Sequence, residues 1–287
     1  MTIRSGQYVV PSMHAVEGAG FHVRRPFPTP NLPMVDPFLL LDHMGPQEHA
    51  PGQAEGAPDH PHRGFETVSY ILEGAFEHKD SVGNTGRIGP GAVQWMTAGA
   101  GVVHSEMPAT EIRTDGGTLH GFQVWVNLPA AEKMMPPKYQ DVLAQDIPEV
   151  VTDGGRVTVR VIAGEYAGTV AAARTHTPIV YWHVRLDAGA TFRGTLPADW
   201  NAMVYIIRGE VAVAEAVARE ADLVLLAPDG DEVAVHTGGG SAEVLVLAGL
   251  PLREPVARYG PFVMNTREEI IEAFEDYQAG RMGAITH

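Results

Sequence analysis

The chain of 287 residues contains no cysteine, which excludes disulfides, thiolate metal clusters and a cysteine nucleophile together. Positive charge is scarce. Only Lys79, Lys133 and Lys138 are lysines, none adjacent to another, and 20 basic residues face 35 acidic ones for a formal charge of −15. Direct binding to nucleic acid or to an anionic membrane surface needs clustered positive charge, so neither partner is expected. No apolar run reaches the ~18 residues of a membrane span. The opening residues MTIRSGQYVVPSMHAVEG hold no apolar stretch of signal-peptide length. A soluble, cytoplasmic, monomeric protein is therefore the expectation. No G-x-S-x-G elbow, Walker loop or G-x-G-x-x-G fingerprint occurs, which removes serine-hydrolase and nucleotide-binding readings.

Glycine and proline, by contrast, are plentiful at 32 and 22 residues, without a collagen period. This composition predicts many short elements joined by tight turns. Period-two alternation in Thr67 to Ala75, Gly121 to Val126, Val157 to Ile162, Ile179 to Leu186 and Val204 to Val213 predicts strands, and the fold class is all-β. One convincing helix is predicted near the end. There Asn265-Thr266-Arg267-Glu268-Glu269 supplies a cap followed by acids, Ile270, Ile271 and Phe274 fall at helical spacing, and the helix stops near Ala279-Gly280. A weaker helical piece is predicted from Pro129. Val68 to Gly74 can be laid over Met203 to Gly209, and the prolines at 136 and 137 lie between the two β-rich regions. Two tandem β-barrels related by duplication, spanning 1–135 and 136–287, are the simplest account.

Nine of the thirteen histidines precede that proline pair, and three of them fall in Asp59-His60-Pro61-His62-Arg63-Gly64-Phe65-Glu66 and in Gly99-Ala100-Gly101-Val102-Val103-His104-Ser105-Glu106. Residues at i and i+2 of a strand face the same way. His60 with His62, and His104 with Glu106, can each present a pair of ligand atoms to one face. If the two strands oppose each other in a barrel, three imidazoles and one carboxylate converge. Such a donor set suits Fe(II), Mn, Ni, Co or Zn, and leaves two open positions on a six-coordinate ion.

HPHRGFETVSYILEG followed by QWMTAGAGVVHSEMP resembles the pirin family of the cupin superfamily. The likeness continues through RRPFPT, PFLLLDHMGP, HGFQVWVNLP and EPVARYGPFVMNTREEI. The resemblance implies a bicupin, two tandem cupin-type β-barrels with a short C-terminal helix. It implies iron at His60, His62, His104 and Glu106, and metal in the N-terminal barrel alone. It also implies a metal-dependent dioxygenase of the quercetin 2,3-dioxygenase type, whose partners are a flavonol-like aromatic and O2. Glu106 would act as the catalytic base when the flavonol hydroxyl ionises. The alternative is an iron-dependent redox-sensing binding protein that regulates a protein partner, as eukaryotic pirins are described.

Glu66 shares strand parity with His62 and is kept as an alternative ligand or a group behind the ligands. Thr195 and Pro197 fall where His60 and His62 stand in the first half, so the second barrel is expected to be metal-free, with His183 and His236 as ordinary strand or loop residues. Asp42-His43 either orients a metal-bound histidine or forms a turn. Arg63, of opposite parity to His62, is assigned a salt bridge outside the cavity. His120 and Gln123 could reach the pocket, with strand packing the preferred role for both, and Trp95-Met96 is read as core rather than as a substrate shelf.

Overall fold

A computed structural model describes residues 1–286, and its regular structure is dominated by antiparallel β-sheets. Among them only Thr110–Asp115 and Arg267–Gln278 are α-helical, and no helix is long and apolar enough to cross a membrane. The predicted C-terminal helix begins one residue later than its first polar residue suggests. Thr266 is the cap, its hydroxyl accepting from the Glu269 backbone N–H at 3.2 Å while the Glu269 carboxylate accepts from the Thr266 N–H at 2.9 Å. The helical piece expected after Pro129 is a single 3-10 turn, Ala130–Glu132. The Thr110–Asp115 helix escaped the sequence analysis, because six residues give no helical period to read.

The chain divides into two compact units, neither of which is a continuous half. One gathers residues 14–25, 38–144 and the chain from Leu252 onward; the other gathers 1–13, 26–37 and 145–251. The expected cut after residue 135 misses the placement of both ends. Gly6–Pro11 pairs with Asp222–Leu226, setting Val9 opposite Val224. In the other unit Phe262, Met264, Ile270, Ala273 and Met282 pack with Val103 in one apolar cluster. Strand pairing across more than two hundred residues leaves no local trace in a sequence.

In the histidine-rich unit, a seven-stranded sheet runs in the order Lys138–Val142, Val93–Thr97, Phe65–Glu73, Gly117–Asn127, Phe38–His49, Phe21–Phe27, Met13–Glu17. A four-stranded sheet is ordered Ala57–His62, Val102–Pro108, Phe76–Asp80, Thr85–Ile88. The other unit repeats the plan, with Asn201–Arg208 at the place of Phe65–Glu73 and Thr191–Thr195 paired to Glu232–Thr237 as Ala57–His62 is to Val102–Pro108. Its core is built on Trp182, Phe192, Val204, Ile206, Val235 and Val246, all inaccessible to solvent.

The internal repeat has a mechanical basis. Gly74 and Gly209 close the two equivalent strands with φ of +77° and +88°, and an added Cβ would lie 2.4 Å from the Thr118 carbonyl oxygen or 2.6 Å from that of Ser241. The predicted strand Val204 to Val213 accordingly breaks at Gly209 into Asn201–Arg208 and Glu210–Val213.

Candidate metal centre

Ala57–His62 and Val102–Pro108 are antiparallel neighbours, and their register sets His60 opposite His104. His60 and His62 share a face at i and i+2, and His104 reaches the same point from across the ladder. Ring centroids lie 4.4 Å apart for His60 and His104, 4.7 Å for His60 and His62, and 5.0 Å for His62 and His104. One ring nitrogen from each falls within 4.8 Å of the other two.

Backbone carbonyls orient two of the rings. His60 Nδ1 donates to the Pro58 oxygen at 2.7 Å, and His62 Nδ1 donates to the Pro261 oxygen at 3.3 Å. With Nδ1 protonated, each Nε2 carries a lone pair, and these two nitrogens face each other at 3.1 Å. His104 is 1% exposed, and both of its ring nitrogens are buried without a hydrogen-bond partner. Three nitrogens converging in this way lack a shared electrophile, which a divalent ion would supply, so the residues fit a metal. Burial holds His62 and His104 neutral by driving both well below the ordinary histidine value, and neighbouring histidines add to the effect. Neutral imidazole is the ligating form.

Glu106 follows His104 on the same strand and face. Its carboxylate lies outside the group of three nitrogens and lines the cavity into which His60 and His62 open, a space of about 580 Å³ that also reaches Ile71, Phe76, Trp125 and Arg258. Ser69 Oγ donates to Oε1 at 2.8 Å and Gln123 Nε2 to Oε2 at 3.0 Å, which aims the carboxylate. Gln123 therefore reaches the pocket, the less favoured of its two expected roles, and Ser69, on which the sequence gives no expectation, joins it. Both could have been found from parity, since Ser69 and Gln123 are directly opposite on adjacent strands.

Glu66 is corrected. It is fully buried and accepts from Thr97 Oγ1 at 2.7 Å, on the strand face opposite to Ser69 and Ile71, which line the cavity. Counting parity from His62 fails because Arg63 and Gly64 separate the two strands, with Gly64 at φ +87°. Asp42 and His43 form no turn, both lying inside Phe38–His49, and neither orients the three imidazoles. Asp42 accepts two bonds from Arg25, at 2.7 and 2.5 Å, and His43 Nε2 lies 2.8 Å from His120 Nε2. Trp95 and Met96 are core residues.

The segment behind His62 is held tightly. Arg63 is 4% exposed and makes the ion pair its parity suggested, donating to Asp276 at 2.6 Å and to the Ala100 oxygen at 2.6 Å. Lys133, also buried, spends its ammonium protons on the Gly64 oxygen, Asn127 Oδ1 and the Val263 oxygen at 2.7, 2.6 and 3.1 Å. In the other unit Thr195 and Pro197 line a separate cavity with Tyr166, Trp182 and Trp200, while His183 bonds Glu243 at 2.8 Å and His236 bonds Thr191 at 3.0 Å.

The depressed histidines make stability depend on pH. Below about pH 6.5 the unfolded chain takes up protons that His62 and His104 refuse when folded, so stability present above that pH is lost as pH falls. Each such group contributes a slope of about 1.4 kcal/mol per pH unit. Urea unfolding of the metal-free protein between pH 7 and 5 is expected to show this decline, and His104→Asn a shallower one; equal slopes would contradict it.

Comparison with known proteins identifies the family. The Pirin family model matches residues 20–126, and the model of the pirin C-terminal cupin domain matches residues 181–283. A Pseudomonas aeruginosa protein provisionally named quercetin 2,3-dioxygenase is 46% identical over 266 residues, covering 92% of this chain and 93% of the relative. Human pirin is 44% identical over 272 residues, covering 93% and 90%. The crystal structure of a quercetin 2,3-dioxygenase from Acinetobacter baumannii superposes with a TM-score of 0.93 at 38% identity, covering 99% of this chain and all of that one. The duplicated barrels are thus cupin domains, and the chain belongs to the pirin family.

Proposed function

We propose that the protein is an iron-dependent dioxygenase that opens the heterocycle of a flavonol-like aromatic, with His60, His62, His104 and Glu106 as the metal ligands and the other barrel metal-free. The observation that carries the reading is three imidazoles at one point on the wall of a cavity of about 580 Å³, within the size range of small-molecule sites. The names of the Pseudomonas and Acinetobacter relatives support the substrate class. The metal, when bound, supplies Lewis-acid and redox chemistry beside the cavity.

The chain's own residues perform the rest. His60 and His62 keep Nε2 available because Pro58 and Pro261 hold the Nδ1 protons. Ile71, Phe76 and Trp125 give the cavity the apolar wall a planar aromatic requires. Glu106 accepts the proton of the flavonol 3-hydroxyl, with Ser69 and Gln123 fixing its two oxygens. Both atoms of O2 then enter the product, and one ring carbon leaves as carbon monoxide.

The test is anaerobic loading with Fe(II), addition of quercetin and air, and measurement of flavonol loss against carbon monoxide released. One carbon monoxide per flavonol is expected, and Glu106→Gln is expected to slow turnover about 100- to 10,000-fold, the usual contribution of a general base. Flavonol loss without carbon monoxide, or no loss with iron bound, overturns the reading and turns attention to a redox-sensitive partner.

A further inference from the structure

Arg258 differs from the other cation on the cavity wall. Arg25 is neutralised, bonding both oxygens of Asp42 and one of Glu17. Arg258, half-buried on the strand Ala257–Tyr259, gives one hydrogen bond to the Leu39 carbonyl oxygen at 3.0 Å, and its guanidinium carbon stands 4.8 Å from the centre of the Trp125 ring. Among the described residues no carboxylate pairs with it. One N–H fills that carbonyl, so most of the guanidinium's five donors remain uncommitted beside the cavity.

Asp42 and Glu17 act on Arg258 without a direct bond, both being engaged by Arg25, and a planar guanidinium with open donors matches the fork of a carboxylate. Its neighbours tie it to the histidine cluster. Trp125 contacts both Arg258 and His62, the latter with ring centroids 5.2 Å apart. Arg258 and His62 therefore share one aromatic neighbour on the wall of the same cavity.

We infer that Arg258 is a specificity-determining residue, and that the substrate is a planar aromatic that carries an ionised acid group, a carboxylate in the first instance. The inference rests on the proposed dioxygenase reading only for the end held at the metal. It arises from a side chain contributed by the C-terminal arm, outside both histidine motifs.

The test uses 3-hydroxyflavone and its 4′-carboxylate as a neutral and anionic pair. Binding to the Fe(II)-loaded protein is followed anaerobically by tryptophan fluorescence, before any turnover. The wild type is expected to prefer the carboxylate by about 10- to 100-fold, the yield of a charge-assisted bidentate contact. Arg258→Gln is expected to bring that ratio to about one, and Arg258→Lys, which keeps the charge without the fork, to restore part of it. Equal binding of the two ligands by the wild type, or equal losses for both in Arg258→Gln, overturns the inference. Admitting O2 afterwards separates the two claims: an Arg258-dependent preference with no consumption of ligand leaves this inference standing and removes the dioxygenase reading.

Discussion

His104→Ala is expected to lower iron affinity at least ~100-fold and to abolish turnover, while the protein still folds. Replacing groups that merely orient a ligand already costs ~10- to 100-fold in metal affinity, and His104 is placed as a ligand itself. Folding survives because the side chain is buried with neither ring nitrogen bonded, so its removal strands no partner. The same change leaves a small void in the ladder between Ala57–His62 and Phe76–Asp80, which flank its strand. Metal analysis after dialysis, together with the unfolding midpoint, checks both halves. Full iron content in His104→Ala would remove the residue from the centre, and an unfolded protein would show that its role is packing.

Gly64→Ala should have the largest effect on stability, roughly 3 kcal/mol, although it adds one methyl group. Its φ of +87° suits glycine alone, and the added Cβ would lie 2.0 Å from the Val263 oxygen and 2.8 Å from Met264 Sδ. The Val263 oxygen cannot retreat freely, because it also receives the buried Lys133 ammonium. Since Gly64 follows His62 and Arg63, the displaced backbone would also loosen the strand that carries His60 and His62, and with it the proposed metal site. Gly52→Ala isolates the conformational part, having φ +76° with nothing within 4 Å of the new Cβ. It is expected to cost about 1 kcal/mol and to leave metal content unchanged. A Gly64→Ala midpoint equal to that of Gly52→Ala would show that the close approach carries no energy.

These two sites also show what was legible in the sequence. The convergence of His60, His62 and His104 was readable because strand alternation is a local rule, and the pairing of His60 with His104 needed only that the strands be neighbours. The capping box of the C-terminal helix and the glycine-terminated repeat were readable for the same reason. Glu66 was misplaced because parity does not survive a left-handed glycine between two strands. Ser69 and Gln123 were underrated because their meaning lies in the cross-strand register. Pro261, whose carbonyl turns His62, and Arg258 on the cavity wall stand some two hundred residues from the histidines they accompany. The exchange of chain ends between the units is likewise a long-range pairing, and no periodicity announces it.

The central claim is that three imidazoles of one unit form the metal centre. The most direct measurement is anomalous scattering at the iron absorption edge from crystals grown with Fe(II). The account predicts one peak per chain, bounded by Nε2 of His60 and His62 and a ring nitrogen of His104, with the Glu106 carboxylate as the fourth protein ligand. A peak among Thr195, Pro197 and Trp182, or none at the three histidines in protein that analyses for iron, would contradict it.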